Sequence, residues 1–169
     1  MTTTKRSSLF LVAGLTAAVF GHGAMAAATT VSVSLWDNGM MALDALGTMP
    51  GMGMNMPDAD MGMATMGITT DMATVPAGEI TFTATNDSEA TIHEMLISPV
   101  PADGGMLPYD QAAYRVEEES AMSLGEVSEL EPGDTGALTI TLDPGQYVLY
   151  CNVPGHYEMG MWTLITVTE

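Results

Sequence analysis

Hydrophobic and polar residues alternate along several short stretches of this chain. In residues 79–85, for example, Ile80, Phe82 and Ala84 fall on one face and polar residues on the other. A period of two is the pattern of a half-buried β-strand. The stretches that we interpret as strands are residues 31–36, 79–85, 91–98, 138–142, 146–151 and 162–167.

Pro, Gly, Asn and Asp residues separate these stretches and predict turns. The predicted turns are residues 75–78, 86–88, 131–134 and 143–145, and residues 99–108 predict a loop. Residues 109–121 predict a short helix with three consecutive glutamates at its solvated end. Short strands joined by Pro-Gly turns predict an all-β fold, a single-domain antiparallel sandwich or barrel.

Residues 40–72 differ in composition from the rest of the chain. They hold ten of the 17 methionines, together with Gly, Pro and Asp, and almost no β-branched or aromatic residue before Ile68. Long connections without regular patterning are typical of flexible or functional segments. We interpret residues 40–72 as a Met-rich, flexible insertion that follows the first strand.

The N-terminal residues have the features of a secretory signal peptide. Lys5 and Arg6 precede an apolar run, residues 9–20, and Ala24-Met25-Ala26 resembles a cleavage site. The run is shorter than the roughly 20 residues that span a bilayer, although an uncleaved anchor is the alternative. We expect residues 1–26 to be removed and residues 27–169 to form one exported, periplasmic domain without a membrane span.

Removal of residues 1–26 would leave a strongly acidic chain. The remaining chain would contain one positive residue, Arg115, and 21 Asp and Glu residues. Nucleic acids and anionic lipids both require a basic surface, so neither is expected as a partner. The charge suits a protein partner with a basic surface, or solubility alone.

The single cysteine, Cys151, is unusual in a chain expected in an oxidising compartment. It has no cysteine with which to form an internal disulfide. Its alternatives are a buried inert thiol, an intermolecular bridge or a metal-bound thiolate.

Four residues together form a candidate metal site. Cys151, His156 and Met161 follow one another at intervals of five on a loop shaped by Pro and Gly, and His93 lies on another predicted strand. Taken alone, each histidine would be interpreted as a packed or exposed side chain, and the methionine as part of the core. Together, two imidazoles, a thiolate and a weak axial thioether are the donors of a mononuclear copper electron-transfer site. We therefore predict copper ligation by His93, Cys151, His156 and Met161.

The sequence resembles a known family, the cupredoxins. The resemblance rests on Thr85-Asn86 before His93-Glu94-Met95, and on Pro144-Gly145-x-Tyr147-x-x-Tyr150-Cys151 leading to Pro154-Gly155-His156 and Gly160-Met161. The spacing from His156 to the methionine is similar to that of rusticyanin, auracyanin and sulfocyanin, whereas the shorter azurin spacing would fall on Gly160. Met159 is the alternative methionine. The resemblance implies a Greek-key β-barrel, one type 1 copper centre and one-electron transfer outside the cytoplasm.

Two features depart from the family pattern. Glu94 occupies the position after the first histidine where several cupredoxins have a small polar residue, and the Met-rich insertion is foreign to the compact family core. The leading hypothesis is a monomeric electron carrier between redox proteins. The alternative is copper capture, storage or delivery through the methionines. An enzyme is not expected, because both histidines that remain after cleavage are committed to one copper.

Overall fold

The computed structural model describes residues 28–39 and 64–169. Within these residues the chain forms eleven strands and no helix, and so no helix that could cross a membrane. The strands are β1 (Thr29–Asp37), β2 (Met66–Thr70), β3 (Thr74–Pro76), β4 (Gly78–Asn86), β5 (His93–Pro99), β6 (Tyr109–Asp110), β7 (Arg115–Val116), β8 (Gly125–Leu130), β9 (Thr135–Leu142), β10 (Gly145–Tyr150) and β11 (Trp162–Thr168).

Two sheets form a sandwich. The first sheet has the strand order β2-β1-β4-β9, and the second has the order β3-β11-β10-β5-β8. Strands β6 and β7 form a separate two-stranded ribbon. The predicted all-β, single-domain class is confirmed, with two open sheets instead of a closed barrel. Most strand pairs are antiparallel, as predicted, but β1 pairs with β4 and β11 with β3 in parallel.

The main core lies between the sheets and is built from the alternating residues that the sequence pattern identified. Ile80, Phe82 and Ala84 of β4 are fully buried there, and Leu149 of β10 belongs to the same cluster. The six strands predicted from alternation are all present, with ends that differ by a few residues.

A second, smaller core covers the outer face of the second sheet. Leu96 and Val148 point away from the main core and contact Leu107, Val116 and Ala121 of the segment between β5 and β8. Strands β5 and β10 are therefore buried on both faces, and they are the strands that lead into and out of the candidate site.

The flexible insertion predicted over residues 40–72 includes residues 66–70, but these residues form strand β2. Met66 and Ile68 are buried in the main core, and β2 pairs antiparallel with β1 over five residues. The pairing with β1, a contact distant in sequence, decides this structure more than local composition does. Residues 40–63 of the predicted insertion and the predicted signal peptide lie outside the described residues.

The helix predicted over residues 109–121 is also wrong. Tyr109–Asp110 and Arg115–Val116 pair as β6 and β7, and a single helix-like bond remains, from the Ala121 amide to the Glu117 carbonyl. The side chain of Asn152 explains the difference, because its Oδ1 accepts from the Val116 amide at 2.7 Å and its Nδ2 donates to the Val116 carbonyl at 3.1 Å. These bonds occupy the backbone groups that a helix would need.

Two further strands were missed. The turn predicted at residues 75–78 overlaps β3, a three-residue edge strand that pairs with β11. Strand β8 has only Val127 and Leu130 buried, at a spacing of three, so its sequence lacks the alternation that identified the other strands.

Asn86 joins the end of β4 to the loop that leads to His93. Its side chain is fully buried, and its Nδ2 donates to the carbonyls of Thr91 and Leu130, both at 2.8 Å. Its Oδ1 accepts from the Ser88 amide at 3.0 Å. One amide thereby hydrogen-bonds buried backbone groups of both the loop and β8.

We predict that Asn86→Ala lowers the free energy of unfolding by about 1–3 kcal/mol, because buried backbone groups lose their partners. Asn86→Asp should destabilise the protein at least as much, since it turns an acceptor toward two carbonyl oxygens. Urea denaturation of the metal-free protein measures both effects. Gln146→Ala, which removes an exposed amide from β10, is the control and should change stability by less than about 0.5 kcal/mol. Equal effects of Asn86→Ala and Gln146→Ala would contradict this role.

Candidate metal centre

Three of the four predicted ligand residues come together at one end of the sandwich. The ligand atoms of His93, Cys151 and His156 all lie within 4.8 Å of one another, and all three side chains are buried. In the described part of the chain, this is the one group of three or more His, Cys, Asp or Glu side chains with the spacing of a metal site.

The distances within the group suit a single ion. The Nδ1 atoms of His93 and His156 are 3.2 Å apart, and Cys151 Sγ is 3.4 Å from His156 Nδ1. Two nitrogens bonded to one ion at about 2.0–2.1 Å in tetrahedral geometry would be separated by about 3.3 Å. Both imidazoles therefore direct the same nitrogen, Nδ1, at one point beside the sulfur.

The secondary structure accounts for this convergence. His93 begins β5 and Cys151 directly follows β10, and these strands are neighbours in the second sheet. His156 lies in the loop that connects β10 to β11. Gly155 and Gly160 in that loop have φ angles of +84° and +93°, a region that other residues rarely adopt. The glycines let the loop fold back so that His156 faces Cys151.

The backbone of Met161 is hydrogen-bonded to the other two predicted ligands of this loop, Cys151 and His156. Its carbonyl accepts from the Cys151 amide at 3.0 Å, and its amide donates to the His156 carbonyl at 3.1 Å. Its side chain is fully buried in the main core, and that of Met159 is 3% exposed in the same cluster. Both candidate methionines are thus buried in the main core, and spacing remains the reason to prefer Met161.

Burial keeps the three donors uncharged when no metal is bound. Burial raises the pKa of the Cys151 thiol to about 12, against the opposing effect of hydrogen bonds from the Glu94 and Val153 backbone. Burial and the neighbouring His93 lower the pKa of His156 to about 4, and burial also lowers the pKa of His93. Neutral imidazoles are ready to bind a cation, whereas the thiolate requires the charge of the ion to form.

A β-bulge brings Glu94 to the sulfur. The pairing of β5 with β8 shifts register between His93 and Met95, and a bulge leaves its extra residue out of the ladder. The Glu94 amide hydrogen-bonds Cys151 instead. Glu94 is 6% exposed, and its Oε1 has no hydrogen-bond partner among the described residues. Burial raises the pKa of Glu94 to about 7, although Arg115 opposes this shift.

Two residues near the site were not identified from the sequence. Asp37, the last residue of β1, lies with Oδ2 3.1 Å from His93 Nε2. Asn152, directly after Cys151, holds the ligand loop to β7 through Val116 and also donates to Glu118 at 2.9 Å. The local sequence signals neither contact, because the partners lie 56 and 36 positions away.

Comparison with known proteins agrees with this geometry. A model of the copper binding proteins of the plastocyanin/azurin family matches residues 56–168. The chain is similar to reduced auracyanin from the photosynthetic bacterium Roseiflexus castenholzii, with 25% identity over 85% of this chain and 99% of that one and a TM-score of 0.49. It shares its fold with rusticyanin from Thiobacillus ferrooxidans, with 16% identity over 84% and 79% of the two chains and a TM-score of 0.51. No curated sequence matches the chain.

The donors present fit the metal of that family. A thiolate and a thioether suit Cu(I), and two imidazoles suit both Cu(I) and Cu(II). The His93, Cys151 and His156 cluster is consistent with one type 1 copper site. With a match over residues 56–168, the chain belongs to the copper-binding proteins of the plastocyanin/azurin family, the cupredoxins.

Proposed function

We propose that this protein is an exported one-electron carrier in which His93, Cys151 and His156 are the equatorial copper ligands and Met161 is the axial ligand. The observation that carries the proposal is the convergence of two Nδ1 atoms and one Sγ atom within 4.8 Å in a buried pocket. Copper bound there supplies a metal that alternates between Cu(I) and Cu(II).

The chain supports such alternation by holding its donors in place. Cys151 and His93 extend from adjacent, hydrogen-bonded strands, and the loop bearing His156 is closed by the bonds of Met161. Strands β5 and β10 are packed on both faces, so the ligands have little freedom to rearrange. Electron transfer is favoured when both oxidation states share one geometry, and this scaffold opposes the tetragonal arrangement that Cu(II) prefers.

The surroundings of Cys151 also adjust the potential. Its side chain is fully buried, and the amides of Glu94 and Val153 donate hydrogen bonds to it. Hydrogen bonds to the sulfur withdraw electron density that it would otherwise give to the metal. The burial of the three donors acts in the same direction, because an apolar environment disfavours the more highly charged Cu(II) state.

The charge of the chain indicates the kind of partner. The formal net charge is −18, and 21 residues are acidic. A redox protein with a basic surface would be attracted over long range, which raises the association rate more than the affinity. We propose a basic redox partner outside the cytoplasm, consistent with the signal peptide predicted at residues 1–26.

We predict an intense visible thiolate-to-copper charge-transfer band on loading with Cu(II), at one copper per chain. Cys151→Ala should abolish the band, because Cys151 is the sole thiol in the sequence. Visible absorption, EPR and metal analysis of one sample measure this outcome. Wild-type protein loaded with Zn(II), a closed-shell ion, is the control and should be colourless. A colourless Cu(II) complex with an ordinary tetragonal EPR spectrum would overturn the proposal.

The axial ligand is tested by a matched pair of substitutions. Met161→Leu should raise the reduction potential, because loss of the thioether removes a donor that helps to stabilise Cu(II). Met159→Leu should leave the potential near that of the wild type. Both changes conserve volume and should cost less than about 1.5 kcal/mol of stability. Cyclic voltammetry measures the shifts, and the opposite pattern would assign the axial position to Met159.

A second function, copper handling by the Met-rich segment, is favoured by one observation. The Asn38 amide donates to the Thr65 carbonyl at 2.8 Å, so the described residues before and after residues 40–63 lie side by side. Asp37, the neighbour of Asn38, contacts His93. The described residues that flank the eight methionines of residues 40–63 therefore lie close to the candidate copper site. Thioethers bind Cu(I) without losing a proton, which suits an oxidising compartment.

Cu(I) stoichiometry distinguishes the two functions. The carrier function predicts one tightly bound Cu(I) per chain, and copper handling predicts several. Titration against a Cu(I) chelator measures the number for the wild type and for a variant with the eight methionines of residues 40–63 replaced by leucine. A fall from several to one in the variant would establish handling, whereas one equivalent in both proteins would exclude it.

A further inference from the structure

Asp37 occupies a position where the strand pattern calls for an apolar residue. Val31, Val33 and Leu35 of β1 alternate into the main core, and Asp37 is the next residue in that series. Its side chain has no exposed area. A buried carboxylate is costly unless it is hydrogen-bonded, so this residue requires a specific partner.

Both oxygens of Asp37 are hydrogen-bonded. Oδ1 accepts from the Gly39 amide at 2.8 Å, and Oδ2 lies 3.1 Å from His93 Nε2. The first bond, within its own turn, holds the carboxylate in place. The second crosses from β1 in the first sheet to β5 in the second, and the His93 side chain is also fully buried.

This contact determines which nitrogen of His93 faces the copper site. A neutral imidazole carries one N–H, and an ionised carboxylate accepts hydrogen bonds but does not donate them. The proton therefore lies on Nε2, toward Asp37. Nδ1 is left with a lone pair directed at the cluster, 3.2 Å from His156 Nδ1.

We propose that Asp37 is a positioning residue of the metal centre: its carboxylate holds His93 in the Nε2–H tautomer and in the orientation that presents Nδ1 to copper. The inference rests on the proposed copper site. It adds a consequence for redox behaviour, because a carboxylate on the far nitrogen makes the imidazole a stronger donor. A stronger donor stabilises Cu(II) more than Cu(I), so Asp37 lowers the reduction potential.

Two substitutions separate the charge of Asp37 from its hydrogen bond. Asp37→Asn keeps an acceptor oxygen and loses the charge, whereas Asp37→Ala loses both. We expect Asp37→Ala to weaken Cu(II) binding by about 10–100-fold, the usual effect of removing a group that orients a ligand. Asp37→Asn should lose less. Each tenfold loss that is selective for Cu(II) over Cu(I) raises the potential by about 59 mV.

The matched control is Asp71→Asn. Asp71 is an exposed carboxylate that accepts from the Ser32 amide at 2.9 Å, near the other end of β1. The Asp71→Asn variant tests whether the loss of any one negative charge from the chain is enough to change the reduction potential. Equal shifts in Asp37→Asn and Asp71→Asn, or wild-type affinity and potential in Asp37→Ala, would overturn the proposal.

The tautomer of His93 gives a test that needs no copper. Long-range ¹H–¹⁵N NMR of the metal-free wild-type protein should show His93 protonated on Nε2 and unprotonated on Nδ1. In Asp37→Ala the two tautomers should mix. An Nδ1–H tautomer in the wild type would overturn the positioning role. If the expected tautomer is seen but Cu(II) gives no charge-transfer band, the proposed copper function fails and the Asp37–His93 assignment stands.

Discussion

The burial of a thiol and two imidazoles in one pocket is the constraint on which the rest of this structure depends. In the metal-free state, burial raises the pKa of Cys151 to about 12 and lowers that of His156 to about 4. The pocket thus disfavours every charge except that of a thiolate bound to a cation. A cluster of this kind cannot be held by the ligands themselves, since the unbound donors gain little from lying 3.2–3.4 Å apart. The scaffold must hold them there.

The scaffold does so by packing the second sheet on both faces. The main core lies on one side of β5 and β10, and the smaller core, with Leu107, Val116 and Ala121, lies on the other. Asn152 connects that smaller core to the loop after Cys151. The segment between β5 and β8 therefore holds the ligand loop from outside the sandwich. On the other side, Asp37 contacts His93 from the opposite sheet.

Acidic groups near the site act in two different ways. Asp37 is fully hydrogen-bonded and acts through the far nitrogen of His93. Glu94 is almost fully buried, and one of its oxygens has no partner among the described residues. Its backbone amide donates a hydrogen bond to the Cys151 sulfur. Burial raises the pKa of its carboxyl group to about 7, so that group is partly protonated near neutral pH. Two carboxyl groups near the site therefore differ in their partners: Asp37 is hydrogen-bonded to His93, whereas Glu94 Oε1 has no hydrogen-bond partner among the described residues.

The sequence by itself determined six of the eleven strands of the described residues, together with the candidate ligands. Alternation reports which side chains are buried, so β1, β4 and β9 follow from local patterning. His93, Cys151 and His156 follow from chemical scarcity, because residues 27–169 contain one Cys and two His, whereas Met161 is preferred by its spacing from His156. Tertiary structure decided what depends on distant partners: β2 forms against β1, Asn152 gives β7 in place of a helix, and Asp37 becomes a partner of His93. A hydrogen bond between residues 36 or 56 positions apart leaves no periodic signal, and it exists only once the sheets have packed.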